Sequence, residues 1–368
     1  MKNRARDSYF IINMAASMLA SLLSYGINFF LTPYMVSTVG SEAYGFVSLA
    51  NNMVNYASII TVALNSVAGR FITIKMHEGK DKEAELYFNS VFWADMILAG
   101  ILLIVFMPIV WNLEHLLNIP ESLTASVKLL FLFAIVNFLI TVISNVFSVA
   151  TFVKNMLYLS SIGNCISAIL RVSLLVIFFG IFPVNLAYIS IVAAICSIAL
   201  TFYNIIVTKK LIPSIHIKLN RFSLPCIKEM FSAGVWSSVT KLSQILSDGL
   251  DLLICNLWVG SYDMGQLSIA YTIPTIFAGL ISILNSLFCP QQTYYYARKE
   301  TSNVIKEIKV NMKLCGFFVS VAFAGIVVYG YEFFSLWVPG ENVSMIYLLS
   351  CIAVVSVLIS GVTSALHN

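Results

Sequence analysis

Lys241, Gln244, Asp248 and Asp251 fall on one face of an apolar segment, with Ser237 at the start of the stripe and spacings of four, three, four and three. The segment is long enough to predict a membrane span, and a charge at a bilayer centre costs about 2.5–3.5 kcal/mol on insertion scales. Such a face is retained where it looks into water or onto partner groups. Carboxylates at that depth can bind a coupling proton or cation, accept hydrogen bonds from sugar hydroxyls, or neutralise a nearby cation. Arg171 sits mid-span in ISAILRVSLLVIF and cannot shed its proton. It reads either as a clamp for phosphate or carboxylate, which guanidinium binds bidentately, or as an ion-pair partner of Asp95, Asp248 or Asp251. Asp95 is expected near the inner end of the third span, at its wet boundary. Asn51, Asn52 and Asn55 dot the second span, with Tyr271, Thr272 and Thr275 at the matching positions of the eighth. Amides, hydroxyls and a phenol suit carbohydrate, and they suit hydrogen bonding between helices equally well.

These side chains need spans to carry them, and the composition supplies little else. Of 368 residues, 59% are hydrophobic and 10% charged, with a mean hydropathy of +0.90. Soluble domains carry about 25% charged residues, so the chain reads as an all-α polytopic membrane protein. Ten spans are expected, near 10–35, 43–68, 88–111, 125–149, 157–180, 184–208, 231–258, 262–289, 310–336 and 344–366. The first is too long for the 7–15-residue core of a signal peptide. Eighteen of the 21 Lys and Arg residues fall in the N-terminus and in alternate loops. By the positive-inside rule that side, and the N-terminus, is cytoplasmic. The segments 69–87 and 209–230 are candidates for amphipathic helices on the inner surface. No GxSxG, Walker A or HExxH pattern occurs, the seven cysteines lack metal spacing, and the net charge of +4 resides in loops. An enzyme, a metal or cofactor site and a nucleic-acid partner therefore have no support in the residues.

The chain repeats at an offset of 220. Gly40, Ser41, Gly45, Ser48, Ala50, Leu64, Asn65 and Ser66 recur as Gly260, Ser261, Gly265, Ser268, Ala270, Leu284, Asn285 and Ser286. Six spans lie between the copies. An even number keeps the copies in the same orientation, as parallel repeats about an axis along the membrane normal. The expected organisation is an N-terminal lobe over 1–208, an inter-lobe linker over 209–230 and a C-terminal lobe over 231–368. That second lobe holds four spans, two short of the first, as in a fragment or a chain that ends early. Subtracting 220 from Ser237, Lys241, Gln244 and Asp248 gives Ser17, Ser21, Ser24 and Asn28. The first span thus carries a neutral version of the charged stripe. Gly40, Gly45, Gly260 and Gly265 read as tight-turn glycines, and Pro274 as a kink in the eighth span.

The stretch LTPYMVSTVGSEAYGFVSLANNMVNYASIITVALNSVAGRF (31–71) resembles the first two helices of polysaccharide repeat-unit flippases. These belong to the multidrug/oligosaccharidyl-lipid/polysaccharide exporter superfamily, whose MATE-like fold the resemblance implies: two lobes forming a V around a cationic cavity. It further implies an oligosaccharide on undecaprenyl pyrophosphate, moved from the inner to the outer leaflet of a bacterial cytoplasmic membrane by alternating access. Membrane lipid, a polysaccharide polymerase and chain-length machinery are the implied partners. On that reading Arg171, Lys241, Gln244, Asn51 and Asn55 bind substrate, and Asp248, Asp251 and Asp95 couple an ion or pair with the cations. The alternatives are a cation-coupled multidrug antiporter of the same superfamily, which cavity cations disfavour, a repeat-unit polymerase, which would need a large outer loop, and an inactive truncated product.

Overall fold

Long apolar runs flanked by charge form helices that satisfy every backbone group internally, as a bilayer requires. The computed structural model describes residues 2–218 and 221–364; side chains are described for all of these except 2–10, 247, 248, 289–291, 293, 294, 296 and 297. The helices are α1 (Lys2–Val39), α2 (Ser41–His77), α3 (Asp81–Trp111), α4 (Leu113–Leu116), α5 (Thr124–Val153), α6 (Leu157–Ile181), α7 (Tyr188–Leu211), α8 (Leu224–Asp248), α9 (Asp251–Trp258), α10 (Ser261–Ala297), α11 (Thr301–Trp337) and α12 (Val343–Thr363). Among the described residues, nine helices are long and apolar enough to cross a membrane. The chain is a multi-pass, all-α membrane protein.

The expected seventh span is the one that differs. It is divided into α8 and α9 at Gly249, whose amide N still bonds the Ile245 carbonyl at 2.9 Å. Glycine weakens a helix interior, and the Gly249 carbonyl is claimed from outside the helix by Tyr56 Oη and Asn52 Nδ2. The polar stripe also lowers the hydropathy of α8. The two segments expected as surface amphipathic helices differ as well. Over 69–87, α2 runs on to His77 and α3 begins at Asp81, so the charged residues extend the spans and only a turn at Gly79 (φ +72°) separates them. Over 209–230, α7 ends at Leu211 and α8 starts at Leu224; the described residues between them turn at 213–214, form no helix and are strapped to α3.

That strap is dense. The Glu85 carboxylate accepts from Lys218 Nζ at 3.1 Å and from the His216 backbone N–H at 3.3 Å, with Arg221 Nε at 3.8 Å. Asn89 donates to the His216 carbonyl and accepts from the Lys218 N–H, and Trp93 Nε1 donates to the Lys218 carbonyl. Tyr87 Oη donates to Glu229 at 2.5 Å. Glu85 is buried while its cations are half-exposed, so Glu85→Ala removes the buried anchor. The expected loss is about 1–3 kcal/mol, read as a lower midpoint of thermal unfolding in detergent and faster protease nicking within 212–223. At the far end of α3, Lys128 Nζ pairs with Glu114 at 2.5 Å and caps the Trp111 carbonyl at 2.8 Å. That hydrogen bond holds the Glu114 carboxyl below the usual carboxylate range, so the contact weakens as acidification protonates it.

Packing divides the chain into two compact units, residues 1–20 with 46–261, and residues 21–45 with 262–368. In the first, α2, α3, α5 and α8 close around Leu64, Ile72, Phe88, Val91, Val146, Phe147 and Met230, and α7 packs along α5 and α6. In the second, Val36, Ile269, Phe334 and Ile346 form the core, and Phe29 stacks on Phe333 and Trp337.

The repeat reaches further than the sequence match. Left-handed turn residues recur at Gly79 (φ +72°) and Lys299 (φ +58°), and α3 and α11 begin 220 residues apart, at Asp81 and Thr301. Gly40 (φ +88°) and Gly260 (φ +143°) fit the turn reading. Gly45 and Gly265 do not. A Cβ on Gly45 would lie 2.9 Å from the Gly265 backbone, and one on Gly265 would lie 2.5 Å from the Ser41 carbonyl oxygen. They are helix-contact glycines, the small residues that let spans approach, and they are repeat mates touching one another.

Candidate functional site

The first unit carries the polar stripe of α8, and α2 fixes its direction. A Cβ on Gly234 would lie 1.7 Å from the Ala63 carbonyl oxygen, so the two backbones touch there. Ser238 Oγ donates to the Ile59 carbonyl at 2.7 Å, and Tyr56 and Asn52 reach the Gly249 carbonyl. Residue numbers rise along α8 as they fall along α2, so the helices are antiparallel. Gly234, Ser238, the buried Ile245 and Gly249 make the contact face of α8; Asn52, Tyr56, Ile59 and Ala63 make that of α2.

At ~100° per residue, three arcs follow on α8. Beside the contact face lie Ser237, Lys241, Gln244 and position 248. Across from that polar arc lie the exposed apolar side chains Val235, Trp236, Val239, Leu242 and Leu246. On α2, Asn51, Asn55, Ser58 and Ser66 share an arc beside its own contact face, with Asn51, Asn55 and Ser66 exposed. On each helix the polar arc precedes the contact arc by about a quarter turn. For two right-handed helices packed antiparallel, that places both polar arcs on the same side of the pair. The contacts also set the level. Ser238 lies opposite Ile59 and Gly249 opposite Tyr56 and Asn52, so Lys241 and Gln244 stand level with the turn that holds Asn55. Lys241 is half-buried and Gln244 exposed. No acidic oxygen among the described side chains lies within ion-pair distance of Lys241.

The other expected residues are placed as follows. The Asp248 side chain lies outside those described. Asp251 is exposed at the first position of α9, beyond the break. Arg171 is half-buried on α6, and its charge reaches Cys196 on α7; the contacts joining α8 to α2 do not involve it. Asp95 is not at a wet boundary. It is fully buried in α3, where Asn65 Nδ2 of α2 donates to its Oδ1 at 3.1 Å. It forms no ion pair with Arg171 or any other described cation. In α1 the neutral stripe runs from exposed Ser17 through half-buried Ser21 and Ser24 to exposed Asn28.

What residue types alone did not disclose is the contact face itself. Gly234 and Ser238 are inconspicuous in an apolar run, yet they decide where Lys241 points. The small-xxx-small spacing of Gly234 and Ser238 was the signal available.

Residues 10–290 match the family model described as "Polysaccharide biosynthesis protein". The chain belongs to that family. A relative in Bacillus subtilis (strain 168), "Uncharacterized membrane protein EpsK", is 31% identical over 331 residues, which cover 89% of this chain and 65% of the relative. The chain thus spans just under two thirds of that relative's length. Among solved structures, an inward-facing multidrug resistance MATE family transporter of the MOP superfamily aligns with a TM-score of 0.74 at 13% identity, over 97% of this chain and 84% of the other. A MOP superfamily transporter from Pyrococcus furiosus, whose title reports a reversed polarity of its binding pocket, aligns at 0.68 and 14% identity, over 97% and 79%. At that identity the likeness establishes the fold: this polysaccharide biosynthesis family member has the MATE-like helical architecture.

Proposed function

We propose that the protein is a flippase that carries undecaprenyl-pyrophosphate-linked oligosaccharide repeat units from the inner to the outer leaflet of a bacterial cytoplasmic membrane by alternating access. The repeat-derived lobes, 1–208 and 231–368 joined by 209–230, are its working halves, and the basic loops face the cytoplasm. The single observation that supports this reading best is the shared polar side of α2 and α8. There a span-borne cation without an acidic partner among the described side chains, Lys241, stands level with the exposed amides of Gln244 and Asn55. A cation matches a pyrophosphate, and amides match hydroxyl-rich sugar, so one face recognises both parts of such a head group. Arg171 serves as a second anion contact, and Asp248 and Asp251 act at the outer end of the path. No reactive nucleophile with a neighbouring base is needed, because translocation forms and breaks no covalent bond.

A drug-cation antiporter would place acids, not Lys241, on that face. The test is reconstitution of the purified chain in proteoliposomes holding a fluorescent undecaprenyl-pyrophosphate disaccharide in one leaflet. Transfer to the opposite leaflet supports the proposal. Extrusion of a lipophilic cation with no movement of the lipid-linked sugar refutes it.

A further inference from the structure

Asp95 is a carboxyl shut away from the surface, with no counter-charge among the described residues. Its exposure is 0%, Oδ1 accepts one neutral hydrogen bond from Asn65, and Oδ2 has no partner. The charged groups on the packed helices are remote or engaged. Between Glu42 and Arg70 α2 has none, and between Lys128 and Lys154 α5 has none. On α8, Lys228 is exposed and Glu229 is held by Tyr87, both about two turns inward, and Lys241 lies further outward; no ion pair links either cation to Asp95. On α3 itself Glu85 is committed to the strap. An ionised Asp95 would be an uncompensated charge in an apolar interior, whereas the protonated acid is merely an under-bonded neutral group.

The repeat supplies an internal control. Adding 220 to Asn65 and Asp95 gives Asn285 and Cys315, and these also touch: Cys315 Sγ donates to Asn285 Oδ1 at 3.4 Å, both residues buried. An equivalent junction is therefore built twice, between α2 and α3 with an acid and between α10 and α11 with a thiol. Packing accepts the neutral group. The carboxyl in the first copy needs another explanation.

Asn65 provides the route outward. It is half-buried and stands at the edge of the α2 arc that presents Ser58, Asn55 and Asn51. Asp95 is one side chain away from the polar face. We propose that Asp95 is a proton-binding site: it holds a proton while sealed behind Asn65 and releases it to water when α2 and α3 part enough to hydrate the junction. A carboxyl that must be neutral when sealed and charged when wet ties the conformational change to proton movement. The protonated state rests on the buried junction alone; its consequence for transport rests on the flippase reading.

The experiment uses the purified full chain. Infrared difference spectra between acidic and alkaline buffers should show the C=O stretch of a dry, protonated carboxyl, lost in Asp95→Asn and retained in Glu121→Gln. In proteoliposomes, a pH gradient should accelerate flipping of the fluorescent undecaprenyl-pyrophosphate disaccharide by the native chain, and Asp95→Asn should lose that acceleration. Asp95→Cys, which copies the second junction, should fold normally and behave as Asp95→Asn does. A carboxyl band unchanged in both variants, or full gradient dependence without Asp95, overturns the assignment. If the native chain moves no probe, the flippase reading fails, and the infrared comparison still decides whether Asp95 holds the proton.

Discussion

Lys241→Ala should reduce flipping of a lipid-linked pyrophosphate saccharide by roughly 10- to 150-fold while leaving the amount of folded protein unchanged. The magnitude follows from losing one hydrogen-bonded contact to a charged group, about 1.5–3 kcal/mol, at 1.4 kcal/mol per tenfold. The fold should tolerate it because Lys241 has no ion-pair partner among the described side chains, so its removal orphans no buried carboxylate. That separates it from Glu85, whose loss strands Lys218 and Arg221 and releases the strap. Lys241→Arg should recover most of the rate, since the cation is kept, and Lys241→Glu should abolish it. Surface polysaccharide in cells carrying each variant, normalised to membrane-extracted protein, checks the series. Full polymer with Lys241→Ala removes this residue from the site.

Gly234→Val is the second large effect and acts on folding. Any Cβ at position 234 meets the Ala63 carbonyl oxygen at 1.7 Å, a backbone atom of a buried residue that cannot rotate away. The helices must separate there. The cost should exceed the ~1–3 kcal/mol of ordinary overpacking, because the Ser238–Ile59 and Gly249–Tyr56 contacts lie on the same face and go with it. The expected result is loss of the monodisperse peak on size-exclusion chromatography in mild detergent. Gly100→Ala is the matched control: nothing lies within 4 Å of a Cβ there, so the change should be neutral or mildly stabilising, in line with the helix preference of alanine over glycine. Normal behaviour of Gly234→Val would mean that α8 does not rest on α2 as described, and the direction assigned to Lys241 would fall with it.

The spans were legible because hydrophobic run length is a strong signal. Their ends were not, since charged residues at 70–85 and 299–313 prolong helices that hydropathy stops early. The break at Gly249 depends on Tyr56 and Asn52 reaching across from α2, which no local pattern encodes. The stripe of α8 could be read at helical spacing, but its direction is set by Gly234 and Ser238 through contacts with α2. Asp95 was visible as a charge inside a span. Its burial was not, because that depends on Asn65 some 30 positions away in the chain. The repeat held the missing clue: extending the 220 offset past the matched stretch pairs Asp95 with Cys315, and each touches the asparagine of its own copy, Asn65 or Asn285. Gly45 and Gly265 carry a similar lesson. Glycine beside a turn suggested backbone conformation, yet the backbone of the partner helix is what excludes a side chain there.

The most direct measurement is accessibility of the proposed binding face. In a cysteine-free background that retains function, Gln244→Cys and Asn55→Cys should react rapidly with a membrane-impermeant maleimide, and Leu246→Cys, on the apolar arc of the same helix, should not. Excess undecaprenyl-pyrophosphate disaccharide should protect positions 244 and 55. Protection at both is the predicted result. Equal, slow labelling at all three positions, unaffected by the lipid-linked sugar, would mean that α2 and α8 present no wet face to a substrate.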